Sequence, residues 1–290
     1  MDALEAEPAG ACRELVEDGL RTLLAGDPPS PLRRAMADAT LGGGRRSRAT
    51  LVLLCCMAVG GRGRDAVPLA CAVEMIHAAS LALDDLPAMD DDPRRRDAPS
   101  LHCRHGEAVT SLTAVALLAR AFEIAAGHDR ERGTQAVLRI ARAVGEAGMC
   151  GGQLADLDAR DDRRRADPAG PALEDLYGAK TGRLMAVACE LGAMAGGADA
   201  ARCDALADYG MRLGIAYQIA DDVADMAADR AEGRANYGVR VGGRAAGTRA
   251  LELLHEASRA ARAAGIDATT LDAFARQLVE GRLADRPTAR

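Results

Sequence analysis

The sequence predicts an all-α protein, and two observations indicate it. Hydrophobic residues make up 49% of the 290 residues and are dominated by Ala and Leu, with few β-branched runs, a composition that favours helices over strands. Apolar residues recur at three- and four-residue spacing in long runs, and Gly or Pro punctuates these runs. We find no repeat, linker or change of composition, so the sequence predicts a single domain over residues 1–290.

The first helices lead to a glycine-rich segment. Leucines at helical spacing predict a helix over residues 12–25, and a short helix follows at about 32–40. Residues 42–48, Gly-Gly-Gly-Arg-Arg-Ser-Arg, open an apolar helix that continues to about residue 59. Glycines let the backbone approach a ligand closely, and a helix start favours anions. Arg45 and Arg48 share one face of that helix, so the segment predicts an anion site; the alternative is a flexible turn with a basic helix start.

An acidic cluster ends the next apolar helix. Asp84, Asp85 and residues 90–92 place five carboxylates within nine residues, and three arginines follow at 94–96. Two carboxylates about 4 Å apart repel by ~4 kcal/mol at an effective dielectric constant of about 20, so cations would stabilise the cluster. A hard divalent metal takes oxygen ligands and shares them with phosphate, and arginine binds phosphate through two parallel hydrogen bonds. The alternative is a solvated acidic loop followed by a basic one.

His77 lies seven residues before Asp84, two turns back on the same helix face. This alignment favours contact between His77 and a phosphate. A lone histidine on an apolar helix is otherwise more often a satisfied core residue.

The second half of the chain continues the helical pattern. It predicts helices at about 106–126, 135–149, from 172 onward, 199–225, 245–264 and 268–283, with loops at 158–167 and 227–237. The helix that starts near residue 172 contains Lys180, Thr181 and Gly182, and Lys180 is the only lysine in the sequence. Because Gly costs a helix interior ~1 kcal/mol relative to Ala, we expect a break or a close approach there. One lysine in a chain that otherwise uses arginine suggests a function, with chance retention as the alternative.

A second aspartate cluster ends another apolar helix. Asp221, Asp222 and Asp225 stand at positions i, i+1 and i+4, and we expect all three to project to one side, with Gln218 one turn earlier. One such cluster in an acidic chain is weak evidence. Two clusters, each at the end of an apolar helix, predict a pair that faces across a helical bundle and binds metal ions.

Composition excludes several classes of function. The net charge of −6 argues against a nucleic-acid surface, and aromatics are only 2% of residues. The eight cysteines form no Cys-x-x-Cys pair, so we expect reduced, mostly buried thiols in a cytoplasmic protein. Residues 1–11 lack the apolar core of a signal peptide. The weakly charged run at 66–83 contains Glu74 and His77, which favours a buried helix over a membrane span.

Taken together, these motifs resemble the trans-isoprenyl diphosphate synthase family over roughly residues 30–260. The first aspartate-rich motif of the family is present at 84–90 in its Asp-Asp-x-x-x-x-Asp form, and the second at 221–225. The Gly-Gly-Lys-Arg-x-Arg motif is found at 43–48, and Lys-Thr-Gly is intact at 180–182. The branch that the sequence resembles is the bacterial geranylgeranyl diphosphate synthases of carotenoid pathways. The resemblance implies an isoprenoid-synthase helical bundle with a central cavity, and a homodimer.

The resemblance also implies an activity and a role for each motif. The activity is the condensation of isopentenyl diphosphate with dimethylallyl, geranyl or farnesyl diphosphate. Three Mg²⁺ ions on the allylic diphosphate are implied. Their implied ligands are Asp84, Asp90 and Asp221. The implied supporting residues are Asp85 and Asp225. The implied contacts to the allylic diphosphate are Arg95, Lys180, Thr181 and Gln218. The implied contacts to isopentenyl diphosphate are Arg45, Arg48, His77 and Arg96. Arg234 aligns with a family lysine of the substrate-binding loop after the second motif.

The length of the product is predicted from residue size. In the family, the residue five before the first aspartate helps to form the floor of the pocket for the prenyl tail; here it is Ala79, followed by Ser80. Neither blocks a C15 tail as an aromatic residue would. The two inserted residues at 87–88 are associated in the family with products of C15 or C20. The sequence therefore predicts geranylgeranyl diphosphate, with farnesyl diphosphate as the alternative, and predicts that Ala79→Tyr shortens the product to C15.

Departures from the family pattern keep other functions open. Arg45 replaces the lysine of the glycine-rich motif, and the loop after Asp225 is shorter than usual. A catalytically silent regulatory subunit of a heteromeric synthase is therefore an alternative. A class I terpene cyclase needs a second metal motif rich in Asn and Ser, and this chain has one asparagine, Asn236. A helical scaffold with charged faces would require all of these spacings to be accidental.

Overall fold

The structure is a computed structural model that describes residues 8–25, 30–96, 98–129, 131–160, 170–231 and 236–284. Helices form nearly all of the regular structure in these ranges, and the one strand pair among them has two residues on each side. The predicted all-α fold class is confirmed. Two compact units are present, one formed by Met1–Leu54 with Arg62–Leu138 and the other by Cys55–Gly61 with Arg139–Arg290.

The first unit contains the glycine-rich segment and the first aspartate cluster. Its elements are α1 (Pro8–Leu24), α2 (Pro31–Leu41), α3 (Ser47–Ala58), a 3₁₀ turn (Gly63–Ala66), α4 (Val67–Asp84), β1 (Arg94–Arg95), β2 (Ala98–Pro99), α5 (Leu101–His105), α6 (Glu107–Gly127) and α7 (Arg132–Val144). The last residues of α3 and of α7 belong to the second unit. The antiparallel pair β1–β2 aligns Arg94 with Pro99. It was not predicted, because two-residue strands have no periodicity that could be detected.

Helix α4 is the core helix of the first unit. It packs against α6 and also contacts α1 and α2. Apolar side chains occur on every face of it, as in helices that are buried all round, and Leu69, Met75 and Ile76 are at most 1% exposed. A proline in its first turn suits a position where no N–H is needed. The helix ends at Asp84, so the fold places the acidic cluster at the end of a largely buried helix.

Two helical stretches are long and apolar enough to span a membrane by length and composition, Gly63–Asp84 and Glu107–Gly127. In the first, 67% of the apolar window is buried inside the protein. The core helix of a globular unit passes the same test, so these stretches carry no membrane assignment.

The second unit contains the lysine motif and the second aspartate cluster. Besides the parts of α3 and α7 that belong to it, its elements are α8 (Met149–Arg160), α9 (Gly170–Tyr177), a π-helical turn (Gly178–Gly182), α10 (Arg183–Ala195), α11 (Ala200–Ala231), α12 (Tyr237–Val241), α13 (Gly243–Ala263) and α14 (Thr269–Ala284). The 32-residue helix α11 packs against α10, α13 and α14. A Cβ atom on Gly214 would lie 2.5 Å from Gly182 Cα, so glycines let α11 approach the π-helical turn closely.

Two boundaries differ from the prediction. Helix α11 continues to Ala231, where a polar loop was predicted from residue 227, because alanines, the best helix formers, alternate with the charged residues there. The helix predicted over 135–149 instead ends at Val144, and a new one begins at Met149. Gly145 and Gly148 lie in the break, and a hydrogen bond from Gly148 N to Gly145 O closes it.

Candidate active site

The glycine-rich segment forms a left-handed backbone turn that receives Arg96. Gly43 and Gly44 have φ angles of +93° and +122°, which glycine adopts readily. A Cβ atom on Gly44 would lie 2.7 Å from Arg96 Nη1, and that same nitrogen donates to the carbonyl of Gly43. Arg45 is exposed at the tip of the turn. The structure therefore brings Arg96 together with the glycine-rich segment.

His77 and Arg48 are in direct contact. Arg48 Nη1 lies 3.1 Å from His77 Nε2. Burial, and then the charges of Arg48 and the neighbouring arginines 96, 95 and 46, hold the pKa of His77 well below its ordinary value. The imidazole is therefore neutral at pH 7, so Nε2 accepts from Arg48 and the other ring nitrogen carries the hydrogen. The predicted phosphate contacts of α3 and α4 lie side by side.

The carboxylates of the first aspartate cluster differ in their exposure to solvent. Asp84 is half-buried and Asp90 is exposed, and Asp90 N donates to the carbonyl of Asp84 at 2.9 Å, which closes the turn between them. Asp85 is buried, and Arg95 Nε lies 2.7 and 2.8 Å from its two oxygens. Asp85 was predicted to support a metal and Arg95 to bind a diphosphate. In this structure they form a charge-assisted pair with each other.

The residues of this cluster fit a hard divalent cation. Within the ranges that the structure describes, no three His, Cys, Asp or Glu side chains are already gathered as a metal site. Asp84 and Asp90 nevertheless offer only carboxylate oxygens, at the two ends of one closed turn and accessible to solvent. Oxygen donors of this kind suit Mg²⁺, which keeps several waters and needs only one or two carboxylates together with a phosphate.

In the second unit, Lys180 lies in the π-helical turn and its Nζ donates to Asp156 Oδ2 at 2.5 Å. Thr181 Oγ1 donates to Gln218 Oε1 at 3.2 Å, so these two predicted diphosphate contacts are adjacent. A Cβ atom on Gly152 would lie 2.4 Å from Lys180 N. The break and the close approach that Gly182 predicted are both present.

The second aspartate cluster does not project to one side, and this prediction is wrong for Asp222. Consecutive helical residues are about 100° apart, and here that rotation turns Asp222 inward, where it is 8% exposed. Asp221 is half-buried and forms a salt bridge with Arg282 of α14, whereas Asp225 is exposed. Two of the three carboxylates remain on the accessible side, and the third is structural.

Asp222 connects α11 to the two elements around it. Its Oδ2 accepts from the hydroxyl of Tyr177 and, at 2.8 Å, from the backbone N–H of Tyr237. Burial raises the pKa of Asp222 to about 6, although the hydrogen bonds from Tyr177, Tyr237 and Gln218 act in the opposite direction. Asn236 also donates to the carbonyl of Asp222 at 3.0 Å. Asp222 therefore fixes the segment that begins at Asn236 to the second aspartate cluster.

The predicted tail-pocket residues differ in their surroundings. Ala79 is fully buried, whereas Ser80 is half-buried and its hydroxyl donates to the carbonyl of His77 at 2.9 Å. Ser80 is four residues before Asp84 and shares its helix face, whereas Ala79 does not. Arg234 lies outside the described residues.

Several contacts of the site were not predicted. They involve Glu17, Glu74, Asp156, Tyr177 and Arg282. Two of them had a detectable pattern: Glu74 is an acid within an apolar helix, and Asp156 shares a helix face with Gln153. Nothing in the local sequence distinguishes Arg282 from the other arginines of the chain.

Comparison with known proteins agrees with this geometry. The sequence profile of the family described as Polyprenyl synthetase matches residues 29–238. "Geranylgeranyl pyrophosphate synthase 6, mitochondrial" of Arabidopsis thaliana is 40% identical over 198 residues, which are 66% of this chain and 59% of that protein. "Farnesyl diphosphate synthase" of Geobacillus stearothermophilus is 37% identical over 195 residues, which are 66% of this chain and 64% of that protein. The chain thus spans about three fifths of the length of these two relatives.

A solved structure extends the likeness to nearly the whole chain. The apo crystal structure of an FPP/GFPP synthase from Zymomonas mobilis superposes with a TM-score of 0.84 and 32% identity, covering 94% of this chain and 100% of that one. The family profile covers well over half of the residues and includes both aspartate clusters, the glycine-rich segment and the lysine motif. The predicted family is confirmed: this chain belongs to the polyprenyl synthetase family.

Proposed function

We propose that the protein is a Mg²⁺-dependent prenyltransferase that condenses isopentenyl diphosphate with an allylic diphosphate to give geranylgeranyl diphosphate. Relatives named as geranylgeranyl and as farnesyl diphosphate synthases both match the chain, so farnesyl diphosphate is the alternative product. Membership of the family supports the reaction class. The choice of the C20 product rests on the small side chains before the first aspartate cluster.

One observation carries the proposal: helix α4 holds an arginine of α3 through His77 and ends, two turns later, in a carboxylate. His77 holds Arg48 at 3.1 Å, and Asp84 ends the same helix at an accessible turn. A diphosphate carries several negative charges, and arginine and neutral histidine both donate hydrogen bonds to it. Asp84 would instead hold a second diphosphate through a metal ion. A single helix thereby suits two phosphorylated substrates.

The proposed chemistry gives each of these groups a role. Arg45, Arg48 and Arg96 bind the diphosphate of isopentenyl diphosphate and orient its double bond toward the allylic carbon. Lys180 donates to the allylic diphosphate as negative charge accumulates on it, and Thr181 does so once its hydroxyl turns away from Gln218. Its C–O bond breaks, and pyrophosphate leaves with the bonding electrons. The double bond then attacks the allylic carbon, and the proton lost from the new chain passes to the pyrophosphate.

Bound Mg²⁺ supplies Lewis-acid stabilisation of the departing pyrophosphate. Asp84 and Asp90 of the first cluster, and Asp221 with Asp225 of the second, are the residues that would hold it. For Lys180 to bind a diphosphate, the ammonium group must leave Asp156 or share its hydrogen atoms between the two, and an ammonium carries three hydrogen atoms to share.

We further propose that the protein acts as a homodimer. Leu112 and Val115, three residues apart on α6, are 59% and 63% exposed, and they form part of the apolar stretch Glu107–Gly127. Exposed apolar faces of this kind are typical of protein interfaces. Light scattering of wild-type protein and of Leu112→Glu tests this: a dimer that the variant disrupts supports it, and a wild-type monomer rejects it.

Turnover of the purified protein tests the proposed function. The protein is incubated with isopentenyl diphosphate, Mg²⁺ and, separately, dimethylallyl, geranyl and farnesyl diphosphates, and the products are dephosphorylated and sized by chromatography. A C20 alcohol is expected with each starter. A C15 alcohol as the end product would support the proposed reaction and show that the product is farnesyl diphosphate. Absence of any product, together with activation of a partner synthase, would instead establish a regulatory subunit.

A further inference from the structure

A buried group of three charges lies behind the glycine-rich segment, outside the proposed substrate contacts. The side chains of Arg46 and Glu74 are 4% and 5% exposed, and that of Glu17 in α1 is 17% exposed. Arg46 Nε lies 2.7 Å from Glu17 Oε1, and Nη1 lies 3.5 Å from Glu74 Oε2. Arginine is almost never buried unless it is paired. The two carboxylates therefore hold Arg46 inside the first unit.

The backbone conformation of Arg46 indicates that the surrounding residues hold its side chain in this buried position. Its φ angle is +52°, a left-handed conformation that is unfavourable for any residue with a Cβ atom. Such a conformation persists only where the surroundings determine it. Thr50 N donates to the carbonyl of Arg46 at 2.9 Å, so α3 begins from this residue. The ion pairs therefore fix the point at which the segment becomes a helix, and Arg45 remains exposed outside it.

Glu74 has a second role in the same place. Its Oε1 accepts from the backbone N–H of Ala49 at 3.2 Å. The N–H groups in the first turn of a helix have no acceptor within the helix, so Glu74 satisfies one of those of α3. A single buried carboxylate thus binds both the inward arginine and the first turn of the helix that follows it.

Helix α4 aligns the whole segment through two residues. Glu74 and His77 are three residues apart and share a face. Glu74 holds Arg46, while His77 holds Arg48 at 3.1 Å. Because both contacts come from one helix face, displacement of Arg46 from Glu74 would also move Arg48 relative to His77.

We propose that Arg46 and Glu74 are a positioning pair for the isopentenyl diphosphate subsite. They place Arg45 and Arg48 for the diphosphate and do not contact it themselves. This inference rests on the proposed function. Its consequence is selective: disruption of the pair weakens use of isopentenyl diphosphate and leaves use of the allylic diphosphate, whose predicted contacts are on other residues, nearly unchanged.

Three variants test the pair: Glu74→Gln, Arg46→Met and the double variant. For each, kcat and the KM of both substrates are measured together with the thermal unfolding midpoint. Both single variants should raise the KM of isopentenyl diphosphate by about tenfold or more, because small misplacements of binding groups are costly. The KM of the allylic diphosphate should change by less than about threefold, because its contacts lie elsewhere.

The double variant separates positioning from folding. Arg46→Met alone leaves the carboxylate of Glu74 buried without a counter-ion, and the double variant removes that charge as well. Because the partly exposed Glu17 keeps its charge in both variants, the thermal stability of the double variant should recover in part. Its KM for isopentenyl diphosphate should stay high, because the segment is still not held. A KM that recovers together with stability, or a fall in kcat with unchanged KM, would overturn the proposal. Glu14→Gln, an exposed acid on α1, should match the wild type in every measurement.

Calorimetric binding of isopentenyl diphosphate distinguishes this inference from the proposed function. If the wild-type protein binds isopentenyl diphosphate without turnover, the proposed enzymatic activity is rejected, but the role of Arg46 and Glu74 can still be tested. Binding that is about tenfold weaker in Glu74→Gln than in wild type would then support the positioning role. Equal binding by the two proteins, or no binding by wild type, would overturn it.

Discussion

Arg282, near the end of α14, forms a salt bridge with Asp221, the first aspartate of the second cluster. An aspartate predicted to hold a metal ion therefore has an arginine as its counter-ion. The two side chains are about one quarter exposed. A metal ion that binds Asp221 must displace this arginine or be repelled by its positive charge.

Arg282→Gln is accordingly expected to strengthen metal binding and to destabilise the metal-free protein. A pair this accessible contributes up to ~1 kcal/mol, which corresponds to about a fivefold lower half-saturating concentration of Mn²⁺. Electron paramagnetic resonance of added Mn²⁺ measures the binding, and thermal unfolding measures the stability. Arg276→Gln, an exposed arginine on the same helix, is the matched control. Equal Mn²⁺ affinity in wild type and Arg282→Gln would contradict the prediction.

The stability of the protein should decrease as the pH falls below about 6.5, the ordinary pKa of histidine. Burial and the nearby arginines hold the pKa of His77 well below that value in the folded state, so the unfolded chain binds a proton first. The contribution of His77 is complete above pH 6.5 and is lost as the pH falls toward the folded pKa, with a slope of up to ~1.4 kcal/mol per pH unit. Urea unfolding of wild type and His77→Gln between pH 5 and 8 measures the difference.

In that experiment, His77→Gln should show a smaller loss of stability on acidification than the wild type. His255→Gln, a variant of an exposed histidine on α13, should keep the wild-type slope. If the two variants have the same slope, the neutral state of His77 in the folded protein is not supported.

Asp84→Asn should abolish most turnover while leaving the fold intact. Loss of a metal-binding carboxylate removes several kcal/mol of charge stabilisation from the transition state, which corresponds to a fall in kcat of roughly 10²–10³-fold. Asp84 is half-buried at the helix end, so removal of its charge should relieve repulsion within the cluster rather than unfold it. Asp92→Asn, in the same acidic run, is the control and should retain activity within about threefold. Comparable losses in the two variants would mean that the cluster acts only through its total charge.

Ser80→Phe should shorten the product more effectively than the Ala79→Tyr change suggested by the sequence. Ser80 shares the helix face of Asp84 and is half-buried, so an aromatic ring there would lie on the face where the prenyl tail is proposed to bind. Ala79 is fully buried, and a large ring in a packed core costs ~1–3 kcal/mol. Product chromatography should show a C15 alcohol for Ser80→Phe, and thermal unfolding should show a lower midpoint for Ala79→Tyr. A C20 product from Ser80→Phe would contradict the assignment of this helix face.

Local pattern predicted candidate residues for the site but not what they contact. His77 and Asp84 were placed on one face of α4 because helical periodicity alone fixes that relation. The pairs Asp85–Arg95, Lys180–Asp156 and Asp221–Arg282 were not predicted. Each joins residues from different elements, and sequence spacing contains no information about the rotation of one element against another.

Asp222 illustrates the same limit within one motif. Its spacing from Asp221 and Asp225 is compatible with an outward or an inward position, because adjacent helical residues diverge by about 100°. The partners that decide the question, Tyr177 and Tyr237, come from other elements. The helix boundaries after residue 225 were missed for a different reason: alanine-rich, highly charged sequence suits both an exposed helix and a loop.

The π-helical turn Gly178–Gly182 has one more residue than an α-helical turn would accommodate. It therefore acts as a phase shift between α9 and α10: deletion of one residue there would restore an α-helix and rotate one flank by about 100° relative to the other. Tyr177 could then no longer face Asp222 while Thr181 faces Gln218. Homologous chains that retain both contacts should show no single-residue gaps in this turn, even where neighbouring loops vary freely in length.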